Sequence, residues 1–94
     1  MRKLVDTASF RRAYRKQVKK NRTLQLRIDE TLRQMQEDLF SPALGAHKLS
    51  GKLLGLWASD CGYDCRIVFS LEIDPTDGQE VILLIDIGTH DDVY

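Results

Sequence analysis

The sequence predicts an α+β fold: an N-terminal helical hairpin packed on a small curved, mainly antiparallel sheet. Three observations predict it. Apolar residues recur at helical spacing as far as Leu39, and at strand spacing from Leu53 onward. Between the two regimes stand Pro42 and Gly45, which break either pattern. At 94 residues the chain is expected to form one domain spanning 1–94.

Lys3-Leu4-Val5 reads as a short edge strand, and Asp6-Thr7-Ala8-Ser9 offers several helix N-caps. From Phe10 the apolar Phe10, Ala13, Tyr14 and Val18 make one stripe, with arginines and lysines on the other faces. Asn21 reads as the stop of this helix and Thr23 as the cap of a second. That second helix is striped by Leu24, Ile28, Leu32, Met35 and Leu39 and closed by Pro42 and Gly45. Two amphipathic helices on a short link form a hairpin.

Leu53 to Ala58 alternates and predicts a strand running toward Asp60-Cys61-Gly62. Arg66 to Ile73 alternates more cleanly. Ile67, Phe69, Leu71 and Ile73 are expected to pack on the helices, which leaves Arg66 on the opposite, open face. Asp74-Pro75-Thr76-Asp77-Gly78 is a turn. Val81 to Ile85 has no polar interruption, as in a strand covered on both faces. That strand delivers Gly88-Thr89-His90-Asp91-Asp92-Val93-Tyr94 at its end.

A hydrophobic content of 43% is that of a globular chain and not of a disordered one. No apolar run approaches the ~20 residues that span a bilayer, and no signal-peptide core follows Arg2 and Lys3. The expectation is a cytoplasmic protein with no membrane partner. Cys61 and Cys65 are too few and too close for a secreted disulfide framework, so a reduced pair is expected. With His47 and His90 they make a chemically acceptable Cys₂His₂ zinc set. The Cys-x₃-Cys pair straddles a tight turn, however, and neither metal nor cofactor is expected.

The formal charge of zero hides a split. Up to Glu37 there are eleven basic residues against four acidic ones; beyond it, only Lys48, Lys52 and Arg66 oppose ten carboxylates. A basic face for a polyanion and a contrasting acidic region follow, although a solvated helix surface would carry the same charges.

His47 and His90 are the two histidines, and histidine is the side chain best poised for proton transfer near neutral pH. They flank the strand carrying Arg66, with Asp64 and Tyr94 in the same portion of the chain. The strand order lets these groups converge on the open face of the sheet.

Four segments then carry a resemblance: His47-Lys48-Leu49-Ser50-Gly51, Gly55-Leu56-Trp57, Tyr63-Asp64-Cys65-Arg66-Ile67-Val68-Phe69 and Ile87-Gly88-Thr89-His90-Asp91-Asp92-Val93-Tyr94. In this order and spacing they resemble the RelE/ParE superfamily of bacterial toxin–antitoxin toxins. The histidine of an H-x-L-x-G segment paired with one in a G-T-H tail is similar to the YafQ branch of messenger-RNA interferases. The resemblance covers essentially the whole chain.

The resemblance implies a RelE-like, microbial-ribonuclease-like fold and ribosome-dependent cleavage of messenger RNA. It also implies a cognate antitoxin that holds the toxin inactive and through which alone operator DNA is bound. Matched by position, His47 stands at the first histidine of the YafQ-like pattern and His90 at the tail histidine. Asp64 matches an active-site aspartate, Arg66 the strand arginine of RelE-type members, and Tyr94 the terminal aromatic. The sequence departs from the pattern at Ala58 and Asp60, which stand where YafQ-like proteins have an aspartate and a histidine. RNA contact is implied for Arg11, Arg12, Arg15, Lys16, Lys19 and Lys20, with Lys48 and Lys52 beside the site.

Metal-free RNA cleavage needs a base for the 2′-hydroxyl proton, an acid for the leaving 5′-oxygen, and positive charge for the transition state. His47 is assigned the base, His90 the acid, Arg66 the phosphate clamp and Asp64 the partner of an imidazole; Tyr94 stacks on a base or orients the phosphate. The residues alone leave the reverse assignment of the histidines open. Two other readings share the fold: a ParE-like, non-enzymatic toxin that inhibits DNA gyrase, and a degenerate toxin retained for antitoxin binding and operon regulation. The His47/His90 pair argues for the enzyme, because a binding-only toxin has no need of two convergent histidines.

Overall fold

The computed structural model describes residues 1–62 and 64–89. In chain order the elements are strand β1 (Lys3–Asp6), helices α1 (Ala8–Val18) and α2 (Arg22–Glu37), and strands β2 (His47–Lys48), β3 (Trp57–Asp60), β4 (Arg66–Ile73) and β5 (Glu80–Gly88). The sheet order is β1-β5-β4-β3-β2. Only β1 with β5 is a parallel pair; the other three pairs are antiparallel. The α+β expectation of two helices on a mainly antiparallel sheet holds.

Thr7 starts α1 and ties it to the sheet. Its Oγ1 accepts the Phe10 amide at 3.1 Å and donates to the Leu84 carbonyl at 2.9 Å. The link between the helices differs from expectation. α1 ends through Lys20, whose φ of 58° reverses the chain. Asn21 is therefore not its stop but the cap of α2, its Oδ1 accepting the Leu24 amide at 3.1 Å. Thr23 falls inside α2: asparagine's short amide already serves the amide that a cap must satisfy. Pro42 and Gly45 bound a separate 3₁₀ turn, and α2 has already ended at Glu37.

The strand expected from Leu53 is shorter than its alternation. Residues Gly51–Leu53 form a 3₁₀ turn, Leu54 is exposed, and extended structure begins at Trp57. Upstream, His47 and Lys48 form an edge strand ahead of the first strand expected in this half of the chain.

The main core lies between helices and sheet, where Ile28, Met35, Leu39, Phe69, Ile67 and Ile82 are fully buried. Each such side chain contributes about 1.5–3 kcal/mol by leaving water. Ile73, expected in this core, extends past the helices and is 62% exposed. A smaller cluster of Leu49, Ala58 and Val68, flanked by Leu53, Leu56 and Ile85, covers part of the opposite face.

One irregularity positions the site. Val68 lies across from Asp86 but Phe69 across from Leu84, so Ile85 is an extra, bulged residue in β5. Before it, Ile82 and Leu84 point to the helices; after it, Ile87 does, and Asp86 turns to the open face.

No helix among the described residues is long and apolar enough to cross a membrane.

The β1 end is clasped electrostatically. Lys3 Nζ donates to Asp74 Oδ2 at 3.0 Å and to Asp77 Oδ2 at 2.6 Å in the β4–β5 turn, and Arg2 pairs with Glu80. The Lys3 bond is the first cause that holds Asp77 below its ordinary value of 3.8. For Asp74 the Thr76 backbone amide comes first and Lys3 second. A carboxyl depressed in the folded state stabilises it above the unfolded value, and this is lost as pH falls through the folded value. On acidification below about pH 4, the melting temperature of the wild type should therefore fall more steeply than that of Asp77→Asn. Parallel slopes in thermal melts across that window would exclude a working clasp.

Candidate active site on the open face of the sheet

Register decides which side chains share the face away from the helices. His47 is opposite Ala58, Ala58 opposite Val68, and Val68 opposite Asp86. Directly opposed residues project to the same side, so these four form one row across four strands. Two residues along lies a second row, Asp60–Arg66–Gly88. From strand spacing and rise, the Cα atoms of His47 and Arg66 stand roughly 12 Å apart, with side chains on one face.

Arg66 is half-buried and held from two sides. Its Nε lies 3.1 Å from Asp60 Oδ1 on the neighbouring strand, and Nη1 donates to the Cys65 carbonyl at 3.0 Å. That carbonyl also accepts the Cys61 amide at 3.1 Å, which closes the turn between β3 and β4. Asp60, Gly62, Asp64 and Arg66 line one shallow hollow over this turn. Asp64 sits in it with a φ of 54°, a left-handed conformation that aspartate tolerates better than most residues.

Asp60 also connects to the histidine. A Cβ added at Gly45 would lie 2.8 Å from Asp60 Oδ2, so the carboxylate rests against the Gly45 backbone. The Gly45 carbonyl in turn bonds His47 Nδ1 at 2.9 Å. A carbonyl can only accept; Nδ1 therefore carries the proton, and in the neutral ring the lone pair is on Nε2. His47 borders its own hollow with Ser50 and Lys52.

The expected site residues are distributed as follows. His47 and Arg66 share the open face, and Arg66 and Asp64 share a hollow. His90 and Tyr94 lie outside the described residues; the described chain leaves β5 at Gly88, beside Arg66. Lys52 borders the His47 hollow. Lys48 borders it too, although as the next residue of β2 its Nζ lies 5.6 Å from the centre of the Trp57 ring.

Arg11, Arg12, Arg15, Lys16, Lys19 and Lys20 all belong to α1 and its end, in the layer across the sheet from Arg66. Arg11 pairs with Asp6 at 3.4 Å; the other five enter none of the described ion pairs. Of the three basic residues of α2, Arg33 is the one held in the described ion pairs. Arg33 is clamped by Glu30 and Glu37, and its hydrogen bonds hold the Glu30 carboxyl below its ordinary range.

Two residues were not singled out from sequence. Asp86 reaches the open face only because of the bulge at Ile85, and its Oδ1 accepts the Ile87 amide at 2.8 Å. Asp60, known from sequence only as a departure from the family pattern, is the partner of Arg66. An acid at the end of a strand, opposite a strand arginine, was the signal available for it.

The cysteines are a correction. A reduced pair was expected, but Cys61 and Cys65 are disulfide-bonded, with Cα atoms 5.0 Å apart. Both sulfurs belong to the buried core under the turn. The three-residue spacing that looked too tight for a secreted framework suits a local staple, because the turn folds back on itself at Gly62. Among the described residues no cluster of acids, histidines and cysteines is grouped to hold a metal ion.

No family model matches the chain, and comparison with curated proteins finds no match. Solved structures do match. YafQ from E. coli superposes with a TM-score of 0.76 at 12% identity, over 100% of this chain and 99% of that one. The chain has the fold of the bacterial YafQ and YoeB/ParE toxins. A YoeB/ParE toxin from Agrobacterium tumefaciens gives 0.75 at 19% identity over 94% and 98% of the two chains. E. coli YafQ in its complex with DinJ gives 0.70 at 14% over 100% and 99%. At such identities the likeness is one of fold, and the expected RelE-like architecture is the architecture found.

Gly62 is the turn's weak point. Its φ is 96°, and an added Cβ would collide with Cδ of Arg27, which crosses over it from α2. Gly62→Ala should cost about 1–3 kcal/mol in urea unfolding, and adding Arg27→Ala should recover only the steric part. Thiol trapping without reductant should leave both cysteines unmodified; full labelling of the folded protein would contradict the disulfide.

Proposed function

We propose that this chain is the toxin of a type II toxin–antitoxin system and a metal-independent endoribonuclease that cleaves messenger RNA on the ribosome. The single observation that carries the reading is the open-face arrangement in which Arg66, braced by Asp60, shares a sheet surface with a histidine whose Nδ1 is held by the Gly45 carbonyl. Held this way, His47 presents Nε2 as a base, which favours it over His90 for that role.

In the proposed reaction His47 Nε2 takes the 2′-hydroxyl proton. The 2′-oxygen attacks phosphorus and the bond to the 5′-oxygen breaks. His90 gives a proton to that oxygen, leaving a 2′,3′-cyclic phosphate, which can open to a 3′-phosphate, and a 5′-hydroxyl end. Arg66 offsets charge on the non-bridging oxygens. Among the described residues its contacts engage Nε and Nη1, so Nη2 is the amine for phosphate. Asp64 steadies an imidazole and Tyr94 stacks on a base. Asp60 acts through Arg66 as a positioning residue.

The basic helix α1 is assigned to ribosomal RNA phosphates, a sequence-independent contact that weakens steeply with salt. Its distance from the catalytic face suits a docking role. The partner that silences the toxin is a cognate antitoxin, by analogy with the E. coli DinJ–YafQ toxin–antitoxin complex; operator DNA is reached only through it. The site of action is the cytoplasm.

Primer extension on messenger RNA after brief induction tests the reading. Wild type should give codon-dependent cuts; His47→Gln and His90→Ala should each reduce them about 10²–10⁴-fold, and Arg66→Lys should reduce them while preserving ribosome binding. Uncut messenger RNA together with gyrase-linked DNA damage would overturn it in favour of a binding-only toxin. Full cleavage by the histidine variants would overturn the residue assignments.

A further inference from the structure

Arg2, Phe40, Trp57 and Lys48 form a row in which two rings lie between two cations. The Arg2 guanidinium lies 5.3 Å from the centre of the Phe40 ring. Phe40 meets Trp57 edge-on, with ring centres 5.6 Å apart. Lys48 Nζ lies 5.6 Å from the Trp57 ring, and Trp57 is itself anchored by stacking on buried Phe69 at 6.3 Å. Arg2 also pairs with Glu80. The outermost ring, Phe40, is 51% exposed although it sits just beyond the helix that supplies much of the core. Core packing does not account for half an aromatic ring in water.

We infer that Phe40 and Trp57, flanked by Arg2 and Lys48, form a stacking site for an unpaired base of single-stranded RNA, separate from the cleavage site. Three features select this occupant. An aromatic face accepts any nucleobase by stacking, and flanking cations accept the phosphates on either side of it. Charge complementarity therefore favours RNA over an apolar peptide, which would offer no anion to Lys48; Arg2 already holds Glu80. Position supplies the third feature. β2 is the last strand of the sheet, and its two residues face opposite ways: His47 toward the catalytic surface, Lys48 toward Trp57. A strand of RNA that crosses this rim touches His47 on one side and the ring ladder on the other. The inference rests on the ribonuclease reading for the identity of the RNA, and it extends that reading by one binding site outside the catalytic residues.

Trp57 is the single tryptophan, so its fluorescence reports on the site directly. The test titrates the full chain with a single-stranded oligoribonucleotide methylated at every 2′-oxygen, which cannot be cleaved. Saturable quenching is expected, with affinity falling as salt rises. Phe40→Leu, which keeps an apolar side chain but removes the ring face, should weaken binding at least about 5-fold. Phe40→Tyr should stay within about 2-fold, and Lys48→Ala should lower the salt slope by about one. Unchanged thermal melts establish that these variants fold. Equal affinity of wild type, Phe40→Leu and Lys48→Ala overturns the inference, as does a Trp57 signal indifferent to RNA. Cleavage is scored separately: messenger RNA cut by a protein that fails this titration removes the stacking site alone, whereas RNA bound at Trp57 without any cleavage removes the ribonuclease alone.

Discussion

A single extra residue in β5 governs the arrangement of this protein. Strict alternation from Ile82 and Leu84 would drive the Asp86 carboxylate into the apolar layer beneath the helices, where burial of a charge is costly. The bulge at Ile85 removes that conflict. It turns Asp86 out, returns Ile87 to the core, and aligns Gly88 with Arg66, so that β5 ends beside the arginine. Helix packing and site geometry are thus consequences of the same local irregularity.

The turn between β3 and β4 is the second fixed point. It is bonded through Cys61 and Cys65, crossed by Arg27 from α2, and closed by a carbonyl that serves both Cys61 and Arg66. Asp60 extends this rigidity toward β2, since one oxygen braces Arg66 and the other rests on Gly45, whose carbonyl holds His47. Where the YafQ-like pattern has a histidine, this chain has a carboxylate, and both of its oxygens are engaged in holding neighbours in place.

Much of this was legible in the residues. The helical stripe of Ile28, Met35 and Leu39 and the alternation of Ile67 and Phe69 name the two sides of the core without ambiguity, and Arg66 follows as an open-face residue by parity alone. Features that depend on three-dimensional closeness were not legible. Asn21 and Thr23 are equally good caps on paper, and only the left-handed Lys20 selects the first. That Lys48 reaches the Trp57 ring while it borders the His47 hollow was invisible until β2 was known to be a strand. The bulge leaves no mark in an unbroken apolar run. The cysteine pair was judged by compartment, which says nothing about how tightly a particular turn closes.

The parallel pairing of β1 with β5 has a consequence for the order in which the molecule comes into being. Lys3 to Asp6 find their partners at Val81 to Leu84, and Lys3 grips Asp74 and Asp77. During synthesis β1 emerges with nothing to pair with until β5 follows it, Lys3 waiting for Val81. The strand that closes this pairing also bears the irregularity that turns Asp86 to the open face. Contacts so distant along the chain form slowly, so the sheet edge at β1 and the open face are completed together, late in folding.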